Sequence, residues 1–211
     1  MIVVIGELAG RRRDASRFEP GGPAARVAVA AAEAGATVEI VTRVGDDPEG
    51  DSVVLALAHA GVGHVATIRD AGHRTRVLPE TTDSADPVAD AATAETSELD
   101  ARPAPAIDAA DVGLALRYLG DYRVIVLLHP GNPAILREAA AAARWASAHL
   151  VVVTLPGSDP VGDVPAGTLA MTADQDAESV AGLLGRYAAA VDRGEEPVAA
   201  YAALTRTLSE G

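Results

Sequence analysis

Short apolar segments alternate with helical segments along this chain of 211 residues, and that alternation restricts its fold more than any other feature. Ile2–Ile5 is wholly apolar and is followed by Gly6, which is typical of a parallel strand that is covered on both faces. Strands that alternate with helices predict a doubly wound, mainly parallel α/β sheet. Beyond the first strand, we predict strands at residues 37–44, 64–69, 75–78, 123–128 and 150–154.

Glycine, proline and capping residues mark the helices between these strands. Pro23 follows Gly22 at an early helical position, and Asp47 is placed to cap a helix that has Pro48 at its first position. A further cap is expected at Asp108. We predict helices at residues 22–35, 48–61, 108–119, 133–148, 174–193 and 197–208, and loops at residues 7–20 and 155–170.

Residues 79–107 differ in composition from the rest of the chain. They are rich in Thr, Ser, Ala, Asp, Glu and Pro, and Arg102 is their only basic residue. We expect an acidic loop or a partly mobile insertion here, with a short strand near residues 87–93 at most. We see no clear domain boundary, so residues 1–211 are predicted to form a single domain.

The chain is strongly acidic, since 30 Asp and Glu residues against 17 basic residues give a net charge of −13. This field repels nucleic acid and anionic membranes, so neither is an expected partner. The absence of cysteine excludes disulfides and thiolate metal sites, and the five histidines contain no i, i+4 pair, so we predict no metal site. Without a membrane-length apolar run or the charged start of a signal peptide, the expected location is cytoplasmic.

The predicted ligand-binding edge follows from the sheet type. In doubly wound sheets, ligands bind outside the carboxyl ends of the strands. Three segments follow predicted strands at that edge, namely Gly45-Asp46-Asp47, His129-Pro130-Gly131-Asn132 and Pro156-Gly157.

Three glycine motifs occur in order in the first third of the chain: a double glycine before an Ala-rich helix, a Gly-Asp-Asp turn before the next helix, and a Gly-Val pair at the end of that helix. They are Gly21-Gly22, Gly45-Asp46-Asp47 with Gly50, and Gly61-Val62. This order resembles the N-terminal signature of the ribokinase-like, PfkB-type carbohydrate kinases. The resemblance covers residues 2–65, 121–154 and 172–208, and the chain is identified as a shortened and divergent member of that family.

The resemblance implies a three-layer, ribokinase-like and Rossmann-like sheet with a reduced lid region. It also implies ATP-dependent transfer of phosphate to a sugar or nucleoside, with ATP and Mg²⁺ as cofactors if the chain is active and none otherwise. Family members often form homodimers through lid strands, which here fall in residues 7–20 and 69–93.

The family's late motif, Asp-Thr-Thr-Gly-Ala-Gly-Asp, falls by resemblance on the segment that ends at Asp176. Asp176 then corresponds to the base that takes the proton of the acceptor hydroxyl, and Thr172 to the second threonine. Ala173 and Gln175 replace the two glycines, and Asp174 places a negative charge where a triphosphate would lie. A structural alternative fits the same residues, because Thr172 and Gln175 have capping-box spacing and acidic residues favour a helix N-terminus.

The candidate cofactor-binding residues come from two strand ends. Thr154 and Gly157 belong to a segment that resembles the family's nucleotide-side strand ending in Thr-Leu-Gly, although Pro156 is inserted. Thr172 and Asp174 complete this group through the late motif.

The candidate substrate-binding residues are Gly21, Gly22, Arg26, Asp46 and Arg11. By the resemblance, Arg11 and Arg26 replace an Asp and an Asn that contact sugar hydroxyls. A guanidinium donates hydrogen bonds, accepts none and favours carboxylate or phosphate partners. The former sugar pocket therefore either binds an anion or is closed by salt bridges to Asp14, Asp46 or Asp47.

Three functions remain open on the sequence. The first is a degenerate member, a pseudokinase that binds a small molecule (a sugar, nucleoside or anion) or a partner subunit. The second is an active ATP-dependent sugar or nucleoside kinase with Asp176 as general base. The third is a homo-oligomeric assembly module without a ligand, such as a homodimer formed through the lid region.

Overall fold

The computed structural model describes residues 1–12, 18–78, 103–158, 162–173 and 178–209. Within these ranges the strands are β1 (Ile2–Ile5), β2 (Ala9–Arg12), β3 (Phe18–Gly21), β4 (Val38–Gly45), β5 (Val62–Gly63), β6 (Thr67–Asp70), β7 (Arg76–Leu78), β8 (Val124–Leu128), β9 (His149–Thr154) and β10 (Leu169–Thr172). The helices are α1 (Pro23–Glu33), α2 (Pro48–His59), α3 (Ala109–Tyr118), α4 (Pro133–Ala146), α5 (Glu178–Asp192) and α6 (Pro197–Ser209).

The main sheet is parallel throughout the described part of the chain. Its strand order is β10-β9-β8-β1-β4-β5, and β6 also pairs with β4. The central strand β1 lies between β4 and β8, so that Ile2 is level with both Val38 and Val124. The chain leaves β1 toward β4 and later returns on the other side as β8. The crevice between β1 and β8 is therefore the point at which the strand order reverses, where doubly wound sheets bind ligands.

Helices cover both faces of this sheet because its strands are apolar on both faces. Ile2 and Val4 pack into a core with α1, α2 and α5, whereas Val3 and Ile5 pack into a second core with α3 and α4. All four side chains are fully buried. The predicted three-layer, doubly wound and mainly parallel fold class is confirmed.

A second sheet of three strands, in the order β3-β2-β7, lies beside the main sheet. Strand β2 is antiparallel to β3 and parallel to β7. The loop expected at residues 7–20 is therefore corrected at β2 and β3, which lie where the resemblance placed lid strands, whereas Glu7 and Leu8 lie outside any strand. The sequence of β2, Ala-Gly-Arg-Arg, lacks an apolar alternation, and the strand exists because two distant segments pair with it.

Other predicted boundaries need smaller corrections. The strand expected at residues 64–69 is found only from Thr67 onward, as β6, and β5 precedes the predicted range. Strand β10 begins at the end of the segment predicted as a loop at 155–170. The predicted N-caps Asp47 and Asp108 are confirmed, each by a side chain that accepts a hydrogen bond from a backbone N–H of its helix. Asn132 caps α4 in the same way, which the sequence did not predict. The acidic segment at 79–102, including the strand predicted near 87–93, lies outside the described residues. None of the helices in the described ranges is long and apolar enough to cross a membrane.

Candidate ligand-binding site

A cleft of about 190 Å³ lies at the carboxyl ends of the central strands, beside the three-stranded sheet. Segments after β1 and β8 form its floor, and the start of α1 and strand β7 form its walls. Its position is the β1–β8 crevice that the topology designates as the ligand site. The lining residues that bear polar side chains are Glu7, Arg26, Arg76 and His129.

The start of α1 shapes one wall of this cleft. Gly22 is the N-cap of α1 with φ 87°, a left-handed conformation that glycine adopts without strain. Arg26 lies one turn into the helix, and its backbone N–H donates to the carbonyl of Gly22 at 3.2 Å. Gly21 is the buried last residue of β3, level with Ala9 in β2. The structure thus places Gly22 and Arg26 on the cleft wall, with Gly21 directly behind them.

Two guanidinium groups dominate the charge of the cleft. Arg26 is half-buried on α1, and Arg76 is exposed on β7, where it is level with Ala9. Glu7, which follows β1, is the carboxylate among the lining residues. Guanidinium groups form strong hydrogen bonds with carboxylate and phosphate oxygens, so the balance of charge favours an anionic ligand.

His129 stands directly after β8 on the cleft floor. Its backbone has φ 47°, which is uncommon outside glycine, and its N–H donates to the carbonyl of Val153 at 2.8 Å. Burial lowers the pKa of the His129 ring, and this effect outweighs the hydrogen bond to the backbone of Ala173 and the nearby charge of Glu7, which favour protonation. The ring is therefore neutral at pH 7.

The neutral ring of His129 presents an acceptor. The hydrogen bond to the Ala173 backbone favours the protonated ring, as a carbonyl acceptor does, and Nε2 has no such partner, so we assign Nε2 as the acceptor nitrogen. Nε2 is shielded from solvent and has no hydrogen-bond partner among the described residues. An acceptor in this state matches a ligand hydroxyl. His129 was predicted to lie at the ligand-binding edge, but the histidines were considered only as metal ligands, so this acceptor was not predicted.

A second cleft, of about 290 Å³, lies on the other side of His129. It shares Glu7, Leu128, His129 and Gly131 with the first cleft and extends toward the start of α4. There Asn132 caps the helix, since its Oδ1 accepts from the N–H of Ala134 at 2.8 Å. Asn132 is therefore a structural cap, and His129 is shared by the lining of the two clefts.

Of the candidate cofactor-binding residues, the structure brings two together. Thr154 and Thr172 are level in the pair β9–β10, and their Oγ1 atoms are 3.2 Å apart. Gly157 lies in an exposed turn with φ 80°, two residues after Leu155, which lines the first cleft. Asp174 and Asp176 lie outside the described residues, as does the alternative capping partner Gln175.

Three residues that were predicted around the sugar pocket are not found among the described residues that line the first cleft. Arg11, on β2, lines a separate groove of about 440 Å³ that it shares with Arg26. Asp46 is exposed after β4, outside the described lining of the cleft, and its backbone N–H donates to the carbonyl of Asp70 at 3.1 Å. Of the acidic residues proposed to close the pocket, Asp14 lies outside the described residues.

Asp47 has a structural role in the loop region above the sheet. Its carboxylate accepts hydrogen bonds from Gly50 and from both donors of Thr75. Burial raises the pKa of Asp47, but these hydrogen bonds and the charge of Arg74 together outweigh it and leave the pKa below its ordinary value. Asp47 is therefore ionised at neutral pH, and its carboxylate is engaged in hydrogen bonds within the chain.

The described residues were also tested for a fit to the Mg²⁺ ion that ATP chemistry uses. No group of three or more His, Asp or Glu side chains within the described ranges is arranged to hold a metal ion. The two threonine hydroxyls at Thr154 and Thr172 are engaged with each other.

The family assignment follows from a comparison of sequence. A family model described as "pfkB family carbohydrate kinase" matches residues 6–193. The chain belongs to the PfkB family of carbohydrate kinases, as the glycine motifs implied. No curated protein matches the sequence.

Solved structures share the fold at low sequence identity. An uncharacterized sugar kinase from Pyrococcus horikoshii in complex with ATP has a TM-score of 0.54 at 14% identity, covering 90% of this chain and 60% of that one. A fructokinase with bound ATP from Xylella fastidiosa has a TM-score of 0.51 at 18% identity, and the match covers 97% of this chain and 65% of that one. The 2-dehydro-3-deoxygluconokinase from Thermotoga maritima has a TM-score of 0.52 at 19% identity, and the match covers 72% of this chain and 50% of that one. The chain thus spans between half and two thirds of the length of these proteins.

Proposed function

We propose that this chain binds a small polyhydroxylated anion, of the chemical class of the sugar acids, in the cleft between β1 and β8, and that it does not transfer phosphate efficiently. The observation that carries the proposal is the presence of two guanidinium groups, Arg26 and Arg76, in one small cleft with the acceptor Nε2 of His129.

The two arginines account for the anionic end of the ligand. They come from different layers, since Arg26 lies on α1 and Arg76 on the three-stranded sheet. A carboxylate between them accepts hydrogen bonds from both and has charge of the opposite sign. A neutral sugar has only weaker acceptors to offer them, so the site discriminates by charge.

His129 and Glu7 account for the hydroxyl end. Both present acceptors, so they pair with hydroxyl groups and not with a second carboxylate. A ligand hydroxyl at this point supplies the partner that the shielded Nε2 lacks, which favours such a ligand over one without the hydroxyl by about 1–3 kcal/mol. The cleft volume of about 190 Å³ restricts the ligand to a small molecule.

Weak phosphotransfer is inferred from departures in the late motif. Ala173 and Gln175 stand where the family has glycines, and Asp174 adds negative charge where the triphosphate would lie. A like charge at about 4 Å costs roughly 1–4 kcal/mol, depending on the surrounding dielectric. In addition, Thr154 and Thr172 direct their hydroxyls to each other.

The proposal is tested by calorimetric titration with gluconate, glucose, fructose, ribose, inorganic phosphate and Mg-ATP. We expect gluconate to bind and the neutral sugars to bind at least about tenfold more weakly. Arg26→Gln and Arg76→Gln should each weaken gluconate binding by roughly 10- to 100-fold, because each removes a charged hydrogen bond. Arg137→Gln, on the exposed face of α4, is the matched control and should leave binding unchanged.

Other outcomes would contradict the proposal in distinct ways. Equal binding of glucose and gluconate would exclude charge selection by the arginines. Phosphorylation of any acceptor by Mg-ATP, lost in Asp176→Asn, would show an active kinase. Binding of no member of the panel, in a protein that unfolds cooperatively, would favour the assembly module.

A further inference from the structure

The outer surface of α3 and α4 carries an unusual concentration of exposed apolar side chains. Trp145 is 85% exposed, Tyr118 is 74% exposed and Leu114 is 64% exposed. The chain contains one Trp, four Tyr and one Phe, so this surface presents two of its six aromatic side chains. Trp and Tyr are the residues most enriched at the energetic centres of protein interfaces.

Trp145 lines a groove between the two helices, and Leu114 and Tyr118 lie on the exposed face of α3. The groove has a volume of about 490 Å³, and on α4 it is lined by Glu138, Ala141, Ala142 and Trp145, which have the i, i+3, i+4, i+7 spacing of one helical stripe. On α3 its lining includes Arg117, and Leu114 and Tyr118 flank Arg117 on the same exposed face. We call this region the α3–α4 surface and define it by Leu114, Arg117, Tyr118, Glu138 and Trp145.

The α3–α4 surface carries one charge of each sign. Arg117 is exposed, and its Nε donates to the carbonyl of Gly113 at 3.0 Å. The Glu138 carboxylate lies over the same Gly113, since an added Cβ there would be 2.9 Å from Oε2. Within the described residues neither side chain forms a salt bridge, so each is available to a partner of opposite charge.

We propose that the α3–α4 surface is the interface of a two-fold homodimer, in which Arg117 of each copy pairs with Glu138 of the other. A two-fold interface brings one surface against itself in the reversed direction, so a surface with both charges is complementary to its own copy. The net charge of −13 opposes association of two copies elsewhere, and this repulsion is smallest where the local charge is balanced.

The area of the surface is consistent with such a dimer. A fully exposed Tyr or Trp side chain buries about 150–250 Å² on association, so the two aromatic side chains contribute roughly 600 Å² across both copies. A standard interface buries about 1,200–2,000 Å² in total. Leu114, the groove and the stems of the charged residues are placed to supply the remainder. This interface is separate from the lid region, β2, β3 and β7.

The first test measures molar mass by light scattering and sedimentation over a wide range of protein concentration. We expect the mass of two copies at high concentration, with a blue shift of fluorescence as the protein associates, because Trp145 is the sole tryptophan. Trp145→Ser and Leu114→Ser should each weaken association at least about tenfold. Association of Trp145→Ser is measured by molar mass alone, because this variant has no tryptophan, and that of Leu114→Ser by molar mass and fluorescence. Leu55→Ser, which removes a 58% exposed side chain on α2, is the matched control and should dimerise as the wild type does.

The charge pairing has its own test. Arg117→Glu and Glu138→Arg should each be monomeric, because each places like charges together at both contacts of the dimer. An equimolar mixture of the two variants should form a heterodimer, since both contacts then join opposite charges. Circular dichroism confirms that each variant is folded.

The proposal is overturned if the wild type is monomeric at every concentration. It is also overturned if a dimer persists in Leu114→Ser and Trp145→Ser, which would locate the interface elsewhere, such as the lid region. Failure of the two charge variants to associate in a mixture would exclude the Arg117–Glu138 pairing.

Discussion

Asp47 and Thr75 are joined by two hydrogen bonds between segments that are distant in sequence. The backbone N–H of Thr75 donates to Oδ2 of Asp47 at 2.8 Å, and Thr75 Oγ1 donates to Oδ1 at 2.7 Å. Thr75 Oγ1 also accepts from the N–H of Gly45 at 2.9 Å. This arrangement fixes the start of α2 to the residue before β7. Because Arg76 follows Thr75 directly, the same bonds position one arginine of the ligand cleft.

Asp47→Ala is therefore expected to impair both stability and binding. Loss of the helix cap and of the acceptor for buried Thr75 should lower the free energy of unfolding by about 2–4 kcal/mol. Ligand affinity should also fall, because Arg76 loses its support. The measurements are urea denaturation and calorimetric titration.

The matched control is Asp51→Ala in the first turn of the same helix. Asp51 is 76% exposed and pairs with Arg69 at 2.7 Å, an exposed ion pair worth about 0–1 kcal/mol. If Asp47→Ala is no more costly than Asp51→Ala, the link between α2 and β7 does not contribute to stability.

Helices α1 and α5 are in close contact at Gly185. A Cβ added at Gly185 would lie 2.6 Å from the Cβ of Ala30 and 2.6 Å from the carbonyl oxygen of Val27. Gly185→Ala should therefore separate the helices and destabilise the protein by about 1–3 kcal/mol, despite the better helix propensity of alanine. The change in the midpoint of urea denaturation measures this effect.

Gly182, one turn earlier on α5, provides the opposite case. No described atom lies within 4 Å of a Cβ added there. Gly182→Ala should therefore gain about 0.5–1 kcal/mol from helix propensity alone. The same sign for both substitutions would mean that the packing of α1 against α5 does not depend on glycine at residue 185.

Local signals made much of this fold predictable. Strand β1 is wholly apolar, and Asp47 and Asp108 cap helices that begin directly after them. These features depend on residues that are neighbours in the sequence, so the local pattern is enough to predict them. Strand β2 does not, because its Ala-Gly-Arg-Arg sequence becomes a strand only through its pairing with β3 and β7.

The same distinction applies to the candidate site. Gly22 and Arg26, which the resemblance gave as candidate substrate-binding residues, both line the first cleft, and their contact with a ligand stays a prediction. The role of His129 was missed because it depends on a left-handed backbone and on a hydrogen bond to Ala173 across β9. Arg76 was missed because its strand reaches the cleft only through the second sheet. Both features depend on contacts between distant segments, which local sequence periodicity does not show.

His149 and Tyr187 connect the start of β9 to α5. The Tyr187 hydroxyl is 2.9 Å from Nε2 of His149, and the rings meet edge to face with centroids 5.8 Å apart. Burial raises the pKa of Tyr187 to about 12, with the charges of Glu196 and Tyr201 adding to the effect, so the hydroxyl stays protonated while it is hydrogen-bonded to the imidazole. Burial also lowers the pKa of His149, although the charge of Glu196 opposes it.

This lowered pKa predicts a pH dependence with a definite sign. Unfolded histidine has a pKa of about 6.5, so below that pH the unfolded chain binds protons more readily than the folded chain. The stabilising contribution is complete above about pH 6.5 and is lost as the pH falls through the lower value of the folded protein. His129, whose pKa is also lowered, acts in the same direction. Urea denaturation from about pH 8 to about pH 5 should show decreasing stability.

Substitution isolates the histidine contribution. His149→Gln should lower stability at about pH 8, because the buried Tyr187 hydroxyl loses its hydrogen bond to the imidazole. It should also weaken the dependence on pH between about 7 and 5, because one titrating group is gone. Tyr187→Phe should cost about 1 kcal/mol at neutral pH while the pH dependence remains, since the buried imidazole is still present. His59→Gln, on the exposed end of α2, controls for the substitution itself. A wild-type pH dependence in His149→Gln would show that burial of this ring does not oppose its protonation.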